Sequence, residues 1–221
     1  IYTASLIDCT FFCISFLYNQ KKLFQTEQAN KIFFEILNTE KANGMDYDAA
    51  GNLYFGGTLC GRSSAELSTT FDCELTSQSG TESTLSFAPS YVAVMDNEGI
   101  RTDANLFHSG YGDRVDEIIV LENGDILVAG GFCWLSNECY FQGNGMLLEA
   151  PGRNLDAFVF RMTPSGEVIW SRAFWSAGND LIHSLDEGPN GEIYLQGTFC
   201  ADYTSSCRLN SVEGVQGPLT K

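Results

Sequence analysis

Positive charge is scarce in this chain: 12 Lys and Arg stand against 28 Asp and Glu, a formal net charge of −16. Such a surface repels nucleic acid and anionic membrane, so neither is expected as a partner. Cations, basic proteins and neutral sugars remain. Histidine is scarcer still, with only His108 and His183, and no two cysteines stand as CxxC, so the framework of a tetrahedral zinc site is missing. There is no GxSxG elbow, no P-loop and no GxGxxG that follows a strand and opens a helix. No catalytic residue, cofactor or metal ligand is therefore nominated, and the chain reads as a non-enzyme. Residues 1–43 contain neither glycine nor proline. Ile1 to Tyr18 is apolar apart from Asp8 and a few hydroxyls, yet it has no basic leader or small-residue cleavage site, so a signal peptide is not expected. Barely long enough to span a bilayer, and broken by Asp8, it is not expected to cross one.

What the chain does have is repetition. Hydrophobic residues make up 44% and aromatics 13%, enough for a core. The phrase Gly51-Asn-Leu-Tyr-Phe-Gly-Gly57-Thr-Leu-Cys60 returns as Gly124-Asp-Ile-Leu-Val-Ala-Gly130-Gly-Phe-Cys133 and again as Gly191-Glu-Ile-Tyr-Leu-Gln-Gly197-Thr-Phe-Cys200. The spacing is 73 residues from Gly51 to Gly124 and 67 from Gly124 to Gly191. Self-similarity at this period marks a repeat architecture. Each phrase follows a turn, and at Asp48-Ala-Ala-Gly51 an aspartate can cap the turn amides while glycine takes the positive φ. Further strands are expected at Tyr91–Met95, Ile100–Phe107, Val115–Leu121, Asp156–Met162 and Glu167–Phe174. Four short strands per copy make an antiparallel sheet, and such sheets arranged radially make a β-propeller, here an incomplete ring of about two and a half blades. The copies run approximately over 31–107, 108–174 and 175–221, after a divergent segment at 1–30. Copy three stops after its cysteine loop, short of its last two strands. Thr26–Ala42 fits a capped helix, but Lys31–Leu37 parallels Glu167–Ala173, which favours a strand. Gly57, Gly130 and Gly197 suit places where backbones approach closely.

The eight cysteines fall in order: Cys60 before Cys73, Cys133 before Cys139, and Cys200 before Cys207, with Cys9 and Cys13 completing the set. The first of each repeat pair holds the same place in its copy, so local disulfides clipping one loop per copy are expected, outside the reducing cytosol. Asp46-x-Asp48-x-x-Gly51 has part of a calcium-loop pattern but lacks the full DxDxDG spacing and terminal Glu, and turn capping accounts for Asp48. Tyr54, Tyr194, Trp170 and Trp175 could stack on sugars, though aromatics at repeat positions usually pack between sheets.

Asp180-x5-Asp186, Gly191-Glu-Ile-Tyr-Leu-Gln-Gly197, and Asp156-Ala-Phe-Val-Phe-Arg-Met ahead of Ser165-Gly-Glu-Val-Ile-Trp170 together resemble the bacterial SBBP β-propeller repeat, over about residues 31–221. The family's third-strand lysine is Arg161 here, and the paired cysteines are not part of its pattern. The resemblance implies a secreted or cell-surface protein and carries no catalytic residues. The expected function is non-catalytic binding or adhesion to a protein or carbohydrate through the loops Thr58–Ser90 and Trp134–Leu155. One alternative is a structural subunit that self-associates, or joins further repeats, through open sheet edges. Another is a propeller lyase or glycosidase, for which no motif is present.

Overall fold

The computed structural model describes residues 41–59, 72–85, 89–109, 112–133, 139–150, 154–201 and 208–213, all within one compact unit, Asn38–Lys221. The expectations for Ile1–Tyr18, Lys31–Leu37, Cys9, Cys13, Cys60 and Cys207 lie outside the described residues. Among those residues there is no helix, and the protein is all-β, built from several antiparallel sheets, none of them closed.

Copy one is a meander of β1 (Lys41–Tyr47), β2 (Leu53–Thr58), β5 (Ser90–Met95) and β6 (Arg101–Phe107), in that spatial order. Copy two repeats it with β7 (Arg114–Val120), β8 (Ile126–Phe132), β11 (Asp156–Met162) and β12 (Val168–Trp175). Copy three contributes the hairpin β13 (Asn179–Glu187) and β14 (Ile193–Ala201). The hairpins close in one way. The amide of Gly51 donates to Asp48, Gly99 to Asp96, Gly124 to Leu121, Gly166 to Thr163 and Gly191 to Gly188. All five glycines lie at φ between 79° and 89°, the left-handed residue that follows a type I turn in a three-residue hairpin loop. Capping varies more than closure does. Asp48 and Asp96 each accept two turn amides, and Thr163 uses its hydroxyl. Where Leu121 and Gly188 offer no cap, Asn123 and Glu192 take over the turn amides instead.

The three sheets stack face to face. One face of copy two (Val115, Ile118, Ile126, Val128, Phe158, Phe160, Met162) packs on Tyr54, Val92, Val94 and Phe107 of copy one. Its other face (Leu127, Ala129, Ala157, Val159) packs on Ile182 and Leu185 of copy three. Being covered on both faces, β8 is apolar at every position and shows no alternation.

The two long polar loops expected from the sequence contain structure of their own. Copy one inserts the hairpin β3 (Asp72–Ser77) and β4 (Gly80–Leu85), tied to β6 by Gln78 N to the Arg101 carbonyl and Arg101 Nη1 to the Thr76 carbonyl. Copy two inserts β9 (Cys139–Gly143) and β10 (Met146–Ala150), turning on Asn144 and Gly145, both at positive φ. This second insert is core rather than periphery. Phe141, Met146, Leu148 and Ala150 are buried against Phe107, Phe132 and Phe158, with the Phe141 and Phe158 rings stacked at 4.4 Å.

Copy three also goes further than expected. Beyond its cysteine loop lies β15 (Asn210–Glu213), which joins the outer strand of copy two, Trp175 opposite Asn210 and Arg172 opposite Glu213. The equivalent pairing one copy earlier is His108 opposite Gln142, an isolated bridge between the end of β6 and β9. The insert strand of each of these copies thus reaches back to the outer strand of the copy before it.

Candidate functional site

The first strand of every copy carries a bulge at the same place. Pairing slips between Ala42 and Gly44 opposite Gly57, between Val115 and Glu117 opposite Gly130, and between Ile182 and Ser184 opposite Gly197. The extra residues are Asn43, Asp116 and His183, which sit 73 and 67 residues apart, the repeat spacings themselves. A bulge bends the strand and re-aims one side chain, and glycine is needed opposite it. A Cβ on Gly130 would overlap the Arg114 carbonyl oxygen, and one on Gly197 the Leu181 carbonyl oxygen.

The bulge residues are linked along the stack. Asn43 Nδ2 donates to the Val115 carbonyl beside Asp116 at 2.9 Å. Asp116 takes the Arg114 guanidinium at 2.9 Å. Burial raises the Asp116 carboxyl above its usual range, while Arg114 and then the nearby His183 pull it back. His183 is exposed, and its Nε2 lies 3.0 Å from the Thr198 hydroxyl. Glu117 is half-buried next to this line; burial first, and then the Asp46 and Asp116 charges, raise its carboxyl. Asp46 accepts the Val120 amide at 2.8 Å and so joins β1 to β7. The result is a column holding an amide, a carboxylate and an imidazole, equipped to donate and accept hydrogen bonds to a polar ligand.

A second recurring device lies at the joints between copies. Asp113 is buried and accepts the Ser109 hydroxyl, the Ser109 amide and the Cys133 amide. One copy later, Asp180 is buried and accepts the Ser176 hydroxyl at 2.8 Å and the Cys200 amide at 2.9 Å. Both cysteines have positive φ, 67° and 60°. Each clasp fixes the end of a repeated phrase to the start of its own first strand. Burial pushes the Asp113 carboxyl up to about 7 against the pull of its three donors.

The remaining sequence candidates are scattered. Asp48 is a turn cap, its carboxyl held low by Asn52 and the turn amides despite desolvation. Tyr54 is buried in the core, Trp170 and Trp175 are half-buried against the two inter-sheet cores, and Tyr194 is exposed. His108 sits at the β6–β9 bridge, its imidazole pushed down by burial. Cys73 and Cys139 lie in the first strands of the two inserts. Sequence reasoning nominated neither the bulge column nor the clasps. The signal was present: aligning the copies at the two repeat spacings superposes Asn43, Asp116 and His183, and likewise Ser109 with Ser176 and Asp113 with Asp180.

Compared with known proteins, the chain matches no protein-family model, no curated protein and no solved structure.

Proposed function

We propose that this chain is a non-catalytic extracellular repeat protein of the β-propeller type, akin to the SBBP repeat, whose stacked sheets are successive blades and whose role is binding or adhesion. The observation that carries the reading is the bulge column. One backbone device, repeated in register, presents three chemically different side chains along one line of first strands. Recognition on this reading centres on the column; the copy-two insert contributes its turn, since its apolar side chains are committed to the core. The ligand class is a neutral or cationic polar molecule such as a carbohydrate, given the net charge of −16. The extracellular assignment rests on the cysteines, which we pair as Cys60–Cys73, Cys133–Cys139 and Cys200–Cys207. Cys133 and Cys200 are not free thiols, and the pairing itself is suggested by the first cysteine of each pair holding the same place in its copy. The test is an array of immobilised polysaccharides probed with wild type and with the double variant Asp116→Ala, His183→Ala. Binding that the double variant loses, with its melting temperature kept, supports the reading. Binding that survives it, or no binding by the wild type, refutes it.

A second reading, assembly through an open sheet, is favoured by one specific contrast. Tyr54, Leu127 and Tyr194 are repeat equivalents, exposed by 2%, 0% and 59%. The first two face the next copy, whereas the third faces solvent. Among the described residues β14 has no neighbour but β13. The occupant suited to this face and edge is another sheet of the same repeat, from a second molecule or a further repeat. Particle mass by light scattering tests it, with Tyr194→Ser and Leu195→Ser expected to reduce the assembled fraction.

A further inference from the structure

The two joints between copies differ in the residue that leads into the third strand, Pro89 at the first and Asp156 at the second, and that difference has a chemical consequence. At the first joint the buried carboxylate is Asp113, with hydrogen-bond donors on both oxygens. The residue leading into the third strand of copy one is Pro89, whose carbonyl is used by the Leu59 amide. At the second joint the equivalent of Pro89 is Asp156. The Asp180 amide donates to the Leu155 carbonyl at 2.7 Å, and the Leu155 amide to Asn179 Oδ1 at 3.2 Å, which zips the two strand starts together beside Asp180. Asp156 and Asp180 are both fully buried. Among the described residues, neither oxygen of Asp156 has a hydrogen-bond partner, nor does Oδ2 of Asp180. Asp180 keeps its other oxygen on Ser176 and Cys200, so its clasp is occupied and cannot turn to satisfy Asp156.

Three buried carboxylate oxygens without donors, at a joint whose sister has none, carry a large desolvation cost unless a positive charge meets them. We propose that Asp156 and Asp180 form a binding site for a divalent cation, best suited to Ca2+, which pins copy three to copy two. Both residues are hard oxygen donors, the ligand type calcium takes, and calcium tolerates an irregular shell completed by main-chain carbonyls and water. The site is smaller than a cluster of three or more His, Cys, Asp or Glu side chains, none of which is arranged to hold a metal among the described residues. Its affinity therefore falls with the weak sites of extracellular modules, with Kd on the order of 0.1–1 mM.

The experiment is a calcium titration of chelator-treated protein at about pH 8, followed by melting temperature and by isothermal calorimetry. The wild type is expected to show one saturable site per chain and a rise of about 5 °C at saturation. Asp156→Asn removes the charge while keeping the shape, so it is expected to melt at or above the calcium-free wild type and to lose the calcium response. Asp180→Asn should lose it as well, whereas Asp46→Asn should retain it. No response from the wild type up to about 10 mM calcium would overturn the proposal in favour of a pair that shares a proton. A response that persists in Asp156→Asn would overturn it in favour of a site elsewhere. Neither result bears on the polysaccharide array, whose variants lie in the bulge column.

Discussion

Gly130 faces the bulge at Asp116, and replacing it with alanine isolates the steric requirement of the column. The new methyl would overlap the Arg114 carbonyl oxygen and stand 3.0 Å from the Arg114 carbonyl carbon and 3.1 Å from the Asp116 amide nitrogen. All three obstacles are main chain, so no side chain can swing aside. Either β7 moves away from β8 or the bulge unfolds, and both disturb residues buried on both faces of the sheet. Overpacking of this kind costs about 3 kcal/mol, equivalent to a fall in Tm of roughly 6–12 °C for a chain of this size. Two neighbours calibrate the result. Alanine at Gly124 meets nothing within 4 Å but must adopt φ near 89°, which costs about 1 kcal/mol. Alanine at Gly131 meets the ends of the Leu181 and Leu155 side chains, which can move, so its cost is also about 1 kcal/mol. Urea unfolding followed by tryptophan fluorescence gives the order directly. A Gly130→Ala variant within 1 kcal/mol of wild type, or no more costly than Gly124→Ala, would refute the steric account.

Other outcomes follow from the same geometry. Asp113 and Asp156 have folded values near 7 and 8 against an ordinary 3.8. Their stabilising effect is complete below the unfolded value and lost as pH rises through the folded ones, so chelator-treated protein is expected to melt lower at about pH 8.5 than at about pH 6; a higher melting point at the alkaline end would contradict this. Ser109→Ala removes the hydroxyl donor of the first clasp and should cost about 1–2 kcal/mol by urea unfolding, with a change under 0.5 kcal/mol counting against the clasp. Peptide mapping without reductant should recover Cys133 linked to Cys139 and Cys200 linked to Cys207; scrambled or free thiols would exclude the extracellular assignment.

The hairpins were the legible part of the fold, because turn closure is local. A glycine after three turn residues fixes the loop whatever lies beyond, and the phrase from Gly124 to Cys133 needs no distant partner to be recognised. The inserts were hidden by their polar flanks, although Asn144-Gly145 between Cys139–Gly143 and Met146–Ala150 is a strong short-range hairpin signal. β15 was not legible, since four residues whose pairing partner is β12 carry no periodicity of their own. The column was hidden for a different reason. A bulge is an offset between two strands, and Asn43, Asp116 and His183 share no chemistry that would flag them as equivalents. The clasps combine both difficulties, with Ser and Asp ordinary in isolation and meaningful only where Cys133 or Cys200 folds back.

The return of β15 to β12 alters how the copies share their fate. A stack held by faces alone can lose its last member and leave the one before it whole. Here copy three also supplies an outer strand to copy two, so peeling it away strips hydrogen bonds from a sheet that would otherwise stay intact. Neighbour coupling in such an array exceeds what the apolar contact provides, and melting should spread as a block rather than fray from the end.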